Sequence, residues 1–346
     1  MKNNKRSLFR FLCIVSGSFV FTGFSLSYAS FTIYSLDNLL KAAFVIISAV
    51  FLMLFAAMAY KSAGRHSNKL LKIRSIMIYT VAAAAAGWLL MAGGVWLLRY
   101  EVLYTNSPLK QESFIRVRQE DDFEKISITV QEDVTLRGFL FKPQHGGVTP
   151  LAIYFGGRGE EASGIIGYAP KINGCSMAFI NYRSCGLSEG RQNEKNLLSD
   201  AAAVYDYFAN RDDIDKNNIF LIAHSLGTGI AIQLASERDV KGIVLSAAYD
   251  LYTSGVIQDK FPLIPVGLLL PDEFDSLAAA PGLKLPALFL LAEEDKTISH
   301  KRTLELFGRW GGKAEKVIIA GTHHENITAN DSTWKYINSF LHEIID

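Results

Sequence analysis

Three stretches of the chain carry no charge: Phe11 to Leu36, Ala42 to Tyr60 and Ser75 to Leu98. A bilayer core roughly 30 Å thick is crossed by about 20 apolar residues in a helix. The pattern therefore predicts membrane spans at about 11–36, 39–60 and 75–98. The first is diluted by Ser16, Gly17, Ser18, Thr22, Gly23, Ser25 and Ser27. The third, VAAAAAGWLLMAGGVWLL, is rich in the small residues that let transmembrane helices pack closely. After Arg99 the pattern turns mixed and polar, and residues 101–111, with Asn106-Ser107-Pro108, read as a linker.

From residue 112 onward short apolar runs alternate with helical stretches. Strands are predicted at Lys125–Val130, Thr135–Phe141, Leu151–Phe155, Met177–Asn181, Ile219–Ala223, Ile243–Ala247, Ala287–Leu291 and Lys316–Ile319. Helices are predicted near Glu194–Asn210, Leu226–Glu237, Lys301–Arg309 and Ser332–Ile345. Near-continuous apolar strands are those buried on both faces, so the expected class is α/β, a mostly parallel eight-stranded sheet with helices on both sides. The short Gln131-Glu132-Asp133 turn joins the first two strands, which begin the sheet as an antiparallel hairpin.

Charge refines this picture. The net charge of +1 hides a split. Residues 1–100 carry eleven Lys/Arg against the single acid Asp37, and the rest carries 24 bases against 33 acids. Basic charge confined to an apolar third argues against nucleic acid as a partner. Lys2, Lys5, Arg6 and Arg10 precede the first span, and Lys61, Arg65, Lys69, Lys72 and Arg74 lie between the second and third. The positive-inside rule keeps both segments cytoplasmic, which leaves residues 101–346 on the extracytoplasmic (periplasmic) side of the plasma membrane. A rival reading makes the first span a signal peptide cleaved near Ser27-Tyr28-Ala29, with the same topology for the remainder. Cys175 and Cys185 flank one predicted strand, too far apart for a disulfide, and read as free thiols.

The segment richest in chemistry is NNIFLIAHSLGTGIAIQLAS, residues 217–236. An apolar strand runs into Ala223-His224-Ser225-Leu226-Gly227, and a helix follows at once. This is the small-x-Ser-x-Gly elbow, whose sharp turn lifts the Ser225 hydroxyl out of the backbone beside a helix N-terminus. The plainer reading is a serine capping an ordinary strand–helix loop. Partners appear in the order Ser, acid, His: Asp295 ends PALFLLAEED and His323 follows the next strand in EKVIIAGTHHEN. In that set Ser225 is the nucleophile, His323 the base and Asp295 the group that fixes its tautomer. His324 competes with His323, and Asp250, at the end of IVLSAAYD, competes with Asp295. His224 is expected to face away from the chemistry and pack.

Several segments together resemble the α/β-hydrolase superfamily, and more narrowly its small membrane-anchored serine hydrolases of the depalmitoylase-like branch. Asn181-Tyr182-Arg183-Ser184-Cys185-Gly186-Leu187-Ser188-Glu189-Gly190 is similar to that branch's Y-R-G-x-G-x-S-x-G loop. AHSLGTGIAIQLA resembles its elbow and helix, Glu293-Glu294-Asp295-Lys296-Thr297-Ile298 its acid loop, and Gly321-Thr322-His323 its histidine loop. The likeness covers residues 112–346 and none of the membrane region. It implies an oxyanion hole built from the backbone N–H groups of Leu226 and of a residue after the strand LAIYF. There Gly156-Gly157-Arg158-Gly159-Glu160 stands where the branch usually has His-Gly-Asn-Ala, which makes Arg158 the second donor. The Arg158 side chain reads either as an anion-attracting charge at the pocket mouth or as a surface charge paired with Glu160 or Glu161.

Residues 251–285 form the sole sizeable insertion, readable as a small lid over an acyl-binding groove or as an ordinary crossover. No zinc spacing or phosphate-cradling loop is present, so neither metal nor cofactor is implied. The expected function is a serine hydrolase acting on esters or thioesters through an acyl-enzyme, with a small-molecule or lipid-like acyl substrate and membrane lipid as partners. A serine peptidase of the same fold and a catalytically silent membrane-anchored binding module are the alternatives.

Overall fold

A computed structural model describes residues 54, 55, 57, 58, 61, 62, 64–111, 122–143 and 147–345. The first predicted span lies outside the described residues, and the second almost entirely so. The described chain divides into two units, one ending at Arg99 and including Gln258–Leu269, the other comprising Tyr100–Ile257 and Leu270 onward.

In the first unit one helix dominates, α1, Lys69–Leu97, opened by Asn68, whose side chain accepts the N–H of Leu70. Its 29 residues reach about 43 Å at 1.5 Å per residue, more than a bilayer core requires. Apolar side chains lie exposed around it, among them Met77, Val81, Leu89 and Trp96. A helix apolar all round suits a membrane rather than a soluble surface. Among the described residues it is the one helix long and apolar enough to span, so the expectation of about three spans rests on a single described helix.

The second unit holds all eight expected strands. They are β1 (Phe123–Thr129), β2 (Thr135–Phe141), β3 (Thr149–Phe155), β4 (Ser176–Ile180), β5 (Ile214–His224), β6 (Gly242–Ser246), β7 (Ala287–Ala292) and β8 (Ala314–Ile319). Their spatial order is β1-β2-β4-β3-β5-β6-β7-β8. β2 is antiparallel to both β1 and β4, and every other pairing is parallel. At the β1–β2 hairpin Glu132 and Asp133 take positive φ, 66° and 55°. The central strands are buried along nearly their full apolar length, as a sheet covered on both faces demands.

The four predicted helices appear as α2 (Glu194–Ala209), α3 (Leu226–Ala235), α4 (His300–Arg309) and α5 (Asp331–Ile345). α2 buries Leu197, Ala201, Val204, Tyr205 and Phe208, the spacing of one helical face. α5 sets Trp334, Ile337 and Phe340 against Tyr154, Phe220, Ile222, Val244 and Leu288 of the sheet. Cys175 and Cys185 are free and buried.

Part of the segment 101–111 is packed into the second unit. Val102, Leu103 and Tyr104 are buried, and the Tyr104 hydroxyl donates to Asp272 at 2.7 Å. The Tyr252 hydroxyl donates to the Leu103 carbonyl at 2.6 Å. A composition of polar residues and proline signalled an irregular path, but three apolar residues within it found a core to enter.

Candidate active site

β5 ends at His224 and α3 begins at Leu226, so Ser225 alone makes the turn between them. Its backbone sits at φ 51°, ψ −119°, a conformation that costs a non-glycine residue on the order of 1–3 kcal/mol. The surroundings enforce it. Ser225 N–H donates to Ser246 O on β6 at 3.0 Å, and Thr228 donates to Ser225 O from both its N–H and its hydroxyl. Gly227 brings the helix start hard against the end of β3, where a Cβ would overlap the Phe155 carbonyl oxygen.

The acid follows β7. One carboxylate oxygen of Asp295 accepts the N–H groups of Thr297 and Ile298, both at 2.8 Å, which leaves the other free to face a histidine. That histidine is His324: its Nδ1 lies 2.9 Å from Asp295 Oδ2 and its Nε2 lies 2.9 Å from Ser225 Oγ. Burial pushes the Asp295 pKa up. The hydrogen bond and charge of His324 and the two backbone donors outweigh that, and the carboxyl is held below its ordinary range.

His323, the residue that the G-T-H motif selects, is not brought to Ser225. Its side chain is 55% exposed and its Nδ1 meets Glu325 at 2.8 Å, whereas the His324 side chain is 11% exposed. The reason lies in the turn after β8. Gly321 takes φ +68°, and buried Thr322 anchors its hydroxyl on the Ile319 carbonyl. Asn326 then takes the His323 N–H. With these anchors set, Thr322 and His324 are buried and His323 is left exposed. Two adjacent histidines differ in nothing local that would reveal this. Asp250, the alternative acid, is engaged with Arg302, whose Nη1 donates to both its oxygens at 2.8 and 3.0 Å.

A second buried pair lies behind the first. His224 packs its ring 5.1 Å from that of His324, with Nε2 3.0 Å from the His324 backbone carbonyl and Nδ1 2.9 Å from Glu160 Oε1. The other Glu160 oxygen accepts from Gly157 N–H at 2.8 Å and Tyr154 hydroxyl at 3.1 Å. Burial alone would depress the His224 pKa, but the Glu160 charge and hydrogen bond leave it raised. Burial likewise opposes ionisation of Glu160, and His224 with the Gly157 and Tyr154 donors leaves its pKa lowered. So His224 packs as expected, but against His324 itself, and with Glu160 it brings charge as well as bulk to that contact. The sequence reading did not single out Glu160 for this. Glu160 and Glu161 stand side by side in the strand-end loop, and nothing local tells which of them meets His224.

Neither Glu160 nor Glu161 pairs with Arg158, contrary to the surface-charge reading. The Arg158 guanidinium donates to the Val102 carbonyl at 2.8 Å. Glu161 is buried and accepts from Ser163 N–H and Asn181 Nδ2. The loop at 181–190 proves to be a brace. Asn181 Oδ1 accepts Ala162 N–H at 2.8 Å, and the Tyr182 hydroxyl donates to Gly156 O at 2.9 Å. Arg183, 1% exposed, grips Asp200 through Nε and Nη2 and reaches Glu132 through Nη1. From the other side Ser107 Oγ donates to Gly159 O at 2.7 Å.

Among the described residues no group of His, Cys, Asp and Glu is arranged to hold a metal ion. What the site can do chemically is activate a hydroxyl: a base touches it, and a carboxylate orients that base.

No family model matches the chain. An uncharacterized protein of Mycobacterium tuberculosis is 22% identical over 260 residues, spanning 74% of this chain and 90% of that protein. Alpha/beta hydrolase domain-containing protein 17C of Mus musculus is 26% identical over 187 residues, 54% of this chain. The match takes in 57% of that relative, so this chain spans little more than half its length. Among solved structures, an esterase from Pyrococcus furiosus superposes with a TM-score of 0.55 at 17% identity, over 70% of this chain and all of that one. The strand order, the elbow between β5 and α3 and these likenesses agree: the chain has the α/β-hydrolase fold and resembles the depalmitoylase-like branch of that superfamily.

Proposed function

We propose that this chain is a membrane-anchored serine hydrolase that cleaves carboxylic ester or thioester bonds through an acyl-enzyme. The observation that carries the reading is the continuous pair of 2.9 Å hydrogen bonds from Ser225 through His324 to Asp295. As Ser225 Oγ bonds to the acyl carbon, His324 Nε2 takes the hydroxyl proton. Asp295 accepts from Nδ1–H and stabilises the imidazolium that forms. The C–O or C–S bond then breaks, and His324 passes its proton to the departing alcohol or thiol. Water, activated by the same imidazole, attacks the acyl-serine and regenerates the hydroxyl.

The oxyanion of each tetrahedral intermediate is held by the N–H groups of Leu226 and Arg158. Leu226 opens α3, where N–H groups have no partner within the helix and the dipole favours negative charge. Glu160 and the 181–190 loop keep the Arg158 segment in place. Helix α1 anchors the enzyme, with two further spans before it. The basic segments before the first span and between the second and third place residues 101–346 on the extracytoplasmic face. The substrate is a small or lipid-like acyl compound available at the membrane surface.

Membranes carrying the full chain test this with a fluorophosphonate probe: the wild type is labelled and Ser225→Ala is not. Equal absence from both would leave a silent binding module. Turnover of p-nitrophenyl esters above that of amino-acid anilides supports the esterase reading, and the reverse order supports a peptidase. A carboxy-terminal reporter active only in the cytoplasm would overturn the orientation.

A further inference from the structure

We propose that residues 261–269 lie within the hydrocarbon of the bilayer beside α1, as a re-entrant excursion from the catalytic unit; the inference rests on the reading that α1 spans the membrane. The excursion leaves at Ile257 and returns at Leu270. From Phe261 to Pro271 the sequence FPLIPVGLLLP carries no charge and no polar side chain, while Lys260 and Asp272 bound it. A loop in water would not be expected to hold its largest apolar side chains outward, yet Leu263 is 75% and Leu268 87% exposed.

Its depth follows from one contact. Trp88 Nε1 donates to the Leu263 carbonyl at 2.7 Å. Trp88 precedes Arg99 by eleven residues, so it lies about 16 Å along the helix from that charge. That is about half the thickness of a bilayer core. The segment touches the span near its middle, well away from its ends.

Backbone chemistry points the same way. Irregular backbone survives in hydrocarbon only when its polar groups are satisfied internally. Pro262 and Pro265 bring no N–H. The N–H groups of Phe261, Ile264, Val266 and Leu268 donate to the carbonyls of Gln258, Phe261, Ile264 and Pro265 respectively. The Gln258 amide donates to the carbonyls of Phe261 and Ile264 and accepts the Val266 N–H. Gln258 thus gives the Phe261 and Ile264 carbonyls a second donor, and the indole from the span serves the carbonyl of Leu263. In water the solvent would meet these groups at no cost. The excursion gives the enzyme a second attachment to the bilayer, separate from the chain that follows Arg99.

The test uses the full chain in phosphatidylcholine vesicles, with Cys13→Ala as background; Cys175 and Cys185 are buried and resist labelling. A nitroxide is placed at Leu268→Cys, and at Val81→Cys as a reference on α1. Relaxation of the label by dissolved oxygen is compared with relaxation by a water-soluble nickel chelate. The expected result is an oxygen effect several times the nickel effect at both positions. A nickel-dominated signal at 268 with an oxygen-dominated one at 81 overturns the inference and leaves the anchor standing. Nickel dominance at both overturns the anchor and the inference together. Fluorophosphonate labelling of Ser225 reports that the L268C chain is folded, and Leu263→Cys gives the same reading should that chain fail.

Discussion

Replacing each adjacent histidine by alanine separates the motif from the geometry. His324→Ala removes the imidazole that meets both Ser225 Oγ and Asp295 at 2.9 Å. Positioned general-base catalysis is worth about 10²–10⁴ in rate. That corresponds to about 2.7–5.4 kcal/mol at about 1.36 kcal/mol per decade. His323→Ala removes a side chain that is 55% exposed, from an ion pair whose partner Glu325 is 72% exposed. Such pairs contribute about 0–1 kcal/mol to stability and nothing to a reaction they do not touch. The assay is kcat/KM on p-nitrophenyl acetate, with thermal unfolding of each variant as a folding control. His324→Ala should lose at least about a hundredfold, and His323→Ala less than about fivefold. A folded His324→Ala chain of near wild-type activity, or a His323→Ala chain disabled by a hundredfold, would refute the assignment.

Other expectations follow from neighbouring contacts. Asp295→Asn preserves shape but hands His324 the wrong tautomer, so kcat should fall by about 10⁴ with little change in Tm; a loss below tenfold would detach Asp295 from the chemistry. Arg183→Ala leaves Asp200 buried without its countercharge, a loss of about 3–5 kcal/mol; thermal unfolding unshifted from wild type would contradict it. Glu160→Gln should destabilise the fold most between about pH 4.5 and 6.5. Stabilisation from His224, whose pKa is raised, is complete below its unfolded value and fades as pH rises through the folded one. Stabilisation from Glu160, whose pKa is lowered, is complete above its unfolded value and fades as pH falls through the folded one. A Tm gap between variant and wild type that is the same at pH 5.5 and pH 9 would exclude the ionised pair.

Periodicity carried the architecture because strand and helix each impose a spacing that burial enforces position by position. All eight strands and the four long helices of the catalytic unit were visible as apolar runs or faces. The β5–Ser225–α3 turn was visible too, since an elbow needs small residues at fixed offsets, and Ala223 and Gly227 stand there. Asp295 was legible because it closely follows a buried strand, and it is there that it meets His324.

What stayed hidden was decided by contacts between segments distant in sequence. His323 and His324 share one local context, and only the anchoring of Thr322 and the seat offered by Ser225 and Asp295 turn the second inward. Glu160 looks like any loop acid until β5 delivers His224, sixty-four residues later, to its carboxylate. The insertion read equally as lid or crossover, because proline and leucine report apolarity without naming the partner. Trp88, 175 residues away, supplies that partner through a single hydrogen bond. Residue pattern determined which faces are buried; only the folded chain decided which polar groups meet, because those meetings depend on tertiary approach that no local spacing encodes.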